Sequence, residues 1–244
     1  ENAKEIFLGN GRSSDATRCV YYIGNILWLR GDVPRAQRYL LDAQDSDDVS
    51  EEMRCDIRRA FAHIEYKEGD IGVAVEKYLA VISRAEGQFQ ECVFRCWVGL
   101  LDAYRKLGQF EEALALMDEI EGRIDACPAE VVGNLRRGHA YVLMMANRLE
   151  DASAEYSRAI AMFHGNEFGQ AHCWRGLGDI YVRKRELQEA ESAFDTAMRL
   201  YDEARKNPSL GVALVALGRG RLAQAREDLQ GALKLYRSAA KQLD

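Results

Sequence analysis

QAHCWRGLGDIYVRKRELQEAESAFDTAMRLY, residues 170–201, decides the fold. Trp174, Leu177, Gly178 and Tyr181 fall at offsets 4, 7, 8 and 11 of a unit whose second half places Ala190, Phe194 and Ala197 at offsets 20, 24 and 27. Spacings of three and four residues put each group on one face of a helix. Arg185-Glu186 separates the two groups, so the stretch predicts a helical hairpin. Its offset-20 alanine recurs at Ala36, Ala74, Ala113, Ala152, Ala190 and Ala232, in steps of 38, 39, 39, 38 and 42 residues. A regular step of this size predicts an all-α solenoid of about six helix-turn-helix repeats, each burying its apolar face only against its neighbours.

Working outward, the repeats are expected over about 17–48, 49–86, 87–126, 127–165, 166–206 and 207–244, as a single solenoid spanning 1–244. Residues 1–16 form an N-terminal arm or the end of a preceding helix, since Ala3 and Phe7 keep the spacing of offsets 20 and 24. Small residues stand where the paired helices approach: Gly24, Ala62, Ala140, Gly178 and Gly220 at offset 8, and the six alanines at offset 20. Large residues oppose them at offset 24, namely Leu40, Tyr78, Met117, Tyr156, Phe194 and Tyr236. Small against large is how facing helices interlock at native density.

The turns within hairpins fall at Gly31-Asp32, Gly69-Asp70, Gly108-Gln109, Asn147-Arg148, Arg185-Glu186 and Glu227-Asp228. Gly or Asn ends a helix in the left-handed region, and a following Asp caps the next one. The last two turns lack Gly and Asn and are expected to close by another geometry. Pro128 and Pro208 are expected at the first position of a helix, with Asn207 as a cap.

Composition excludes several classes. The 244 residues are 48% hydrophobic, too apolar for a disordered chain. A formal net charge of −6 argues against a general nucleic-acid binder. No apolar run approaches the ~18 residues that span a bilayer, so no membrane insertion is expected. The six cysteines form no C-x-x-C pair, and Cys19, Cys96 and Cys173 recur at one offset, 77 residues apart, beyond disulfide reach. Buried free thiols in a reducing cytoplasm are the expectation.

These residues resemble the tetratricopeptide repeat from about Thr17 to Lys241, in a long-step variety of about 38–42 residues against the roughly 34 of the standard motif. The resemblance implies a right-handed superhelix whose concave face is lined by the first helix of each repeat at offsets 2, 5, 9, 12 and 13. Those positions hold Arg18, Tyr21, Asn25 and Trp28; Asp56, Arg59, His63, Tyr66 and Lys67; Arg95, Val98, Asp102, Arg105 and Lys106; Asn134, Arg137, Tyr141, Met144 and Met145; His172, Arg175, Asp179 and Arg183; and Leu214, Leu217, Arg221 and Gln224. In repeats one to five, nine arginines or lysines stand there against three acids, the reverse of the chain's overall sign. The candidate partner-binding residues are Arg18, Asn25, Trp28, Arg59, His63, Tyr66, Arg95, Arg105, Arg137, Tyr141, Arg175 and Arg183. Guanidinium forks grip carboxylates and rings stack on apolar groups, so an acidic peptide or partner domain is expected. The other reading of these arginines is a brace: Arg59, Arg137 and Arg175 pairing with acids such as Asp102 and Asp179 on neighbouring helices.

Catalytic chemistry has no footing in the pattern. No phosphate-cradling or nucleophile-elbow motif occurs, and His63, His139, His164 and His172 show no H-x-x-x-H spacing. His139, at an inward offset, is expected to be a satisfied core residue. No metal or other cofactor is implied. The expected function is a non-enzymatic interaction scaffold or adaptor in the cytoplasm. The alternatives are a ligand-sensing regulatory region of a multidomain regulator and an end-to-end self-assembling scaffold. The second alternative rests on the absence of a polar capping helix at either end.

Overall fold

The computed structural model describes residues 13–204 and 208–243. The expected helix end around Ala3 and Phe7 and the Asn207 cap lie outside them. Among the described residues there are twelve α-helices and no strand. They are α1 (Ser13–Leu29), α2 (Val33–Gln44), α3 (Glu51–Glu68), α4 (Ile71–Ala85), α5 (Gln90–Leu107), α6 (Phe110–Ile120), α7 (Ala129–Met145), α8 (Leu149–Met162), α9 (Glu167–Lys184), α10 (Leu187–Glu203), α11 (Pro208–Ala225) and α12 (Leu229–Leu243). A 3₁₀ segment, Glu121–Ala126, follows α6.

The chain divides into two compact units, Glu1–Gln109 and Phe110–Asp244. In the first, hairpins α1–α2 and α3–α4 are followed by α5, which packs on α4. In the second, α6 precedes hairpins α7–α8, α9–α10 and α11–α12. Within each unit the odd-numbered helices also touch one another, α1 with α3 with α5, and α7 with α9 with α11.

All six turns share one geometry. Gly31, Gly69, Gly108, Asn147, Arg185 and Glu227 have φ of 80, 105, 73, 62, 64 and 66°. The next residue's N–H reaches back to a carbonyl of the preceding helix: Asp32 to Leu27, Asp70 to Glu65, Gln109 to Tyr104, Arg148 to Leu143, Glu186 to Tyr181 and Asp228 to Ala223, at 2.9–3.0 Å. This is the closure of the Schellman motif. The expected exception at the last two turns therefore does not occur: Arg185 and Glu227 adopt the left-handed conformation despite their Cβ atoms. Asp32 and Asp228 cap the following helices through their side chains, whereas Asp70 makes no such bond. Pro128 stands one position before its helix, as the extended cap of α7.

Packing follows the small-against-large rule and extends it between repeats. A Cβ on Gly178 would lie 2.6 Å from the ring of Phe194, and one on Gly220 would lie 2.4 Å from that of Tyr236, both within a hairpin. A second glycine row, at offset 6, meets the large residue of the preceding repeat. A Cβ on Gly99 would fall 2.4 Å from Tyr78, one on Gly176 2.3 Å from Tyr156, and one on Gly218 2.4 Å from Phe194. Phe194, fully buried, is thus held between Gly178 of its own hairpin and Gly218 of the next. This row sets how closely successive repeats stack, and with it the spacing of side chains along the odd-numbered helices.

Candidate functional site: the face of the odd-numbered helices

In the first unit, α1, α3 and α5 bring five of the expected groove residues together. Trp28 meets His63 edge to face at 4.6 Å between centroids, and His63 stacks on Tyr66 at 5.7 Å. Lys106 Nζ lies 4.4 Å above the Tyr66 ring, a cation–π contact, with Lys67 at 5.8 Å. His63 Nδ1 is 3.0 Å from the Tyr78 hydroxyl of α4. Burial, reinforced by Lys67 and Arg59, lowers the His63 pKa to about 4, so the imidazole is neutral at pH 7. Tyr66 is itself buried, whereas Trp28 is half-buried and Lys106 is exposed.

The arginines at the groove positions of this unit pair with acids on their own helices. Arg59 Nε donates to Asp56 Oδ1 at 3.2 Å, Arg105 Nη2 to Asp102 Oδ1 at 3.1 Å, and Arg95 Nη2 to Glu91. Arg18, exposed, lies 3.8 Å from Asp15. Asn25, half-buried, neighbours the buried Tyr21, whose phenol is pushed up first by burial and then by Asp56.

The second unit is balanced differently. Asp179 on α9 is buried, and its two oxygens serve two cations: Oδ2 accepts from Arg175 Nη1 at 3.2 Å, and Oδ1 from Arg221 Nη2 of α11 at 2.6 Å. Burial opposes the Arg175 charge most strongly, but Asp179 together with Tyr156 and Tyr201 more than offsets this and raises its pKa. Arg175 Nε is buried and meets no acceptor among the described residues. Arg137 Nη2 donates to the neutral Asn134 amide oxygen at 3.2 Å, and Arg183 Nη1 to the Met144 carbonyl at 2.8 Å. Neither Arg137 nor Arg183 forms an ion pair among the described residues. Tyr141 is half-buried beside Leu143 and Met144.

Sequence reasoning did not find the partners of these residues on the even-numbered helices. Tyr201 of α10 bonds His172 Nδ1 at 2.9 Å, and Phe168 meets both rings edge to face. Tyr78 supports His63 in the same way. Both tyrosines sit at apolar-looking positions of the repeat, so periodicity marks them only as core. Outside this face, His139 is not the satisfied core residue expected. Its Nδ1 lies 3.7 Å from Glu155 Oε2 and makes no hydrogen bond among the described residues. The six cysteines are free thiols, and burial raises Cys127 to about 11 and Cys173 to about 12, away from reactivity.

The sequence profile of the tetratricopeptide repeat matches residues 137–208, and that of the PPR repeat matches 95–123. The chain's fold is that of a tetratricopeptide-type repeat protein. Solved structures share its fold. RapI in its apo form has a TM-score of 0.67 at 10% identity, over 93% of this chain and 97% of that one. PilF of Pseudomonas aeruginosa gives 0.64 at 18%, over 91% and 89%. A tetratricopeptide repeat protein of Parabacteroides merdae gives 0.64 at 13%, over 99% and 91%. Identities this low speak to the fold alone. No curated protein sequence matches the chain significantly. Tetratricopeptide-type repeats generally mediate protein–protein interaction and are generally not enzymes. No helix among the described residues is long and apolar enough to cross a membrane.

Proposed function

We propose that this tetratricopeptide-type protein is a non-enzymatic scaffold or adaptor in the cytoplasm that holds an acidic peptide, or an acidic segment of a partner domain, along α7, α9 and α11 of its second unit. The observation that carries this reading is the charge imbalance of α7, α9 and α11. Among the described residues, Arg175 and Arg221 pair with one carboxylate, Asp179, while Arg137 and Arg183 meet only neutral acceptors. A buried carboxylate shared by two guanidiniums holds them in place, and the surplus positive charge falls on Arg137 and Arg183. An incoming carboxylate replaces the weaker neutral acceptors of these two with a charge-assisted, bidentate bond. In the first unit, Lys106 over Tyr66, beside Trp28, offers a cation next to aromatic surface.

The test is selection from a random peptide library on the immobilised protein, followed by measured affinities of the recovered peptides. Recovered sequences are expected to be enriched in Asp and Glu and to bind an Arg137→Glu, Arg183→Glu variant at least about 30-fold more weakly, roughly 1 kcal/mol for each lost charged contact. Recovered peptides without acidic bias, or equal affinity for the variant, would overturn the reading.

A further inference from the structure

A second surface lies in the first unit, on the side of α3 away from the residues above. Phe61 and His63 are two positions apart, about 200° around the helix, and so face opposite ways. Beside Phe61, helices α2, α3 and α4 enclose an open groove of about 350 Å³. Leu41 of α2, Phe61 of α3 and Ala80 and Val81 of α4 supply its apolar lining, while Arg58, Lys77 and Arg84 supply positive charge. Leu41 is 48% exposed, so the lining is open to solvent and not sealed in the core.

The cations at this groove are disposed unlike those of the row already described. Arg18, Arg35, Arg54, Arg59, Arg95 and Arg105 each pair with an acid three or four residues away. Arg58 and Arg84 form no ion pair among the described residues, and Lys77 is held by Glu65. Lys77, Val81 and Arg84 follow one another at helical spacing, so charge stands at both ends of an apolar strip about 10 Å, or two turns, long.

We infer that this groove docks a short amphipathic helix of a partner protein, with apolar residues at i, i+3 or i+4 and i+7 entering between α2, α3 and α4 and flanking Glu or Asp side chains reaching Arg58 and Arg84. The form of the site selects this occupant. A strip of two turns between parallel ridges accepts a helix face, as in other helix-in-groove complexes. Two guanidiniums without acids at the rim make an acidic flank favourable and a basic one repulsive. This contact is separate from the odd-numbered face, so one protein joins two partners.

The experiment uses the whole chain and two fluorescein-labelled model helices of about four turns. Each carries Leu at i, i+3 and i+7, flanked by Glu in one and by Lys in the other. Fluorescence anisotropy is expected to show saturable binding of the Glu-flanked helix alone, weakening with added salt. Arg58→Glu with Arg84→Glu is expected to lower that affinity at least about tenfold, and Leu41→Asp to lower it as far, with the circular dichroism of each variant unchanged. Arg137→Glu, in the second unit, is expected to leave it unaltered, which separates this site from the proposed peptide face. Equal binding of both helices, no saturable binding, or unchanged affinity in the Arg58, Arg84 variant would overturn the inference. So would binding of dodecanoate at these residues without binding of the helix. A mass by analytical ultracentrifugation that falls to monomer only in that variant would overturn it in favour of a second copy of the chain.

Discussion

Gly176 faces the phenol ring of Tyr156 so closely that a Cβ at that position would lie 2.3 Å from Cζ. The two residues belong to successive hairpins, and Tyr156 is 2% exposed, so neither backbone nor ring has room to move aside. Gly176→Ala is therefore expected to destabilise the protein by about 2 kcal/mol through overpacking. Tyr156→Leu in the same chain should recover part of that loss, because it removes the colliding atoms. A double-mutant cycle by urea denaturation checks this: additive effects would mean that the two side chains do not meet.

Glu227 turns between α11 and α12 at φ 66°, a conformation that costs an L-residue with a Cβ about 1 kcal/mol and glycine almost nothing. Glu227→Gly is expected to raise the thermal midpoint even though glycine normally lowers stability, because the backbone bonds from Glu227 to Gln224 and from Asp228 to Ala223 are retained. The same substitution at Glu191, inside α10, should lower the midpoint. That pair of opposite signs, read by thermal melting, tests the turn geometry directly.

Glu155 is buried at the centre of a charge cluster, with Arg136 Nη1 at 3.0 Å, Arg158 beside its other oxygen, and Arg136 also bound to Glu121 at 2.8 Å. Burial alone would raise its pKa; the adjacent His139 and Arg136 more than offset that and hold it at about 2. A carboxylate depressed below its ordinary value of 4.5 contributes stability that is complete above that value and is lost as pH falls toward 2. Glu155→Gln is expected to cost about 3 kcal/mol at neutral pH, since Arg136 keeps its burial and loses an ionic partner. It should also flatten the decline of the urea midpoint between those two pH values.

His63 titrates in a different window. Its pKa of about 4 lies below the ordinary 6.5, so the neutral ring contributes stability that is present above 6.5 and is lost as pH falls toward 4. Protonation sets a positive ring beside Lys67 and Arg59 on its own helix, with Trp28 of α1 and Tyr78 of α4 closing the other sides. His63→Phe keeps the ring contacts and removes the titration. It should lose about 1 kcal/mol at neutral pH with the Tyr78 hydroxyl bond, and its melting temperature should change less than the wild type's between neutral pH and about pH 5. Equal slopes would show that the ring is not the group responsible.

The hairpins were legible in the sequence because the residues that make them recur at one step: small at offsets 8 and 20, large at offset 24. The stacking of one hairpin on the next left an equally regular trace, Ala60, Gly99, Gly138, Gly176 and Gly218 at offset 6. Periodicity within one hairpin does not point to it, because the large residues it meets lie in the preceding repeat. The left-handed turns at Arg185 and Glu227 escaped for another reason. Propensity disfavours those residues, and tertiary packing of the helices on either side overrides it. The acids that pair with the face arginines were also written in the chain: Asp56 with Arg59, Asp102 with Arg105, Asp179 with Arg175. These are same-helix pairs at spacings of three and four, whereas the bracing reading pairs them across neighbouring helices. Arg221 with Asp179 is a brace of that kind. Which arginine keeps a surplus of charge depends on geometry between helices, and periodicity does not carry that.

Arg59 and Arg137 occupy the same offset of their repeats, and their different partners set different consequences for removing them. Arg59 is held by Asp56 at 3.2 Å, so Arg59→Ala leaves a half-buried carboxylate without its ion pair and is expected to cost about 1 kcal/mol of stability. Arg137 donates to the neutral Asn134, so Arg137→Ala should change stability by less than about 0.5 kcal/mol. For an acidic peptide bound to the second unit the order reverses. Arg137→Ala should weaken binding about tenfold, and Arg59→Ala, in the other unit, should leave it unchanged. Urea denaturation and peptide titration of the same two variants measure both orders. If Arg137→Ala costs stability and spares binding, this residue braces the repeats, and the surplus charge on the odd-numbered helices is not what a partner reads.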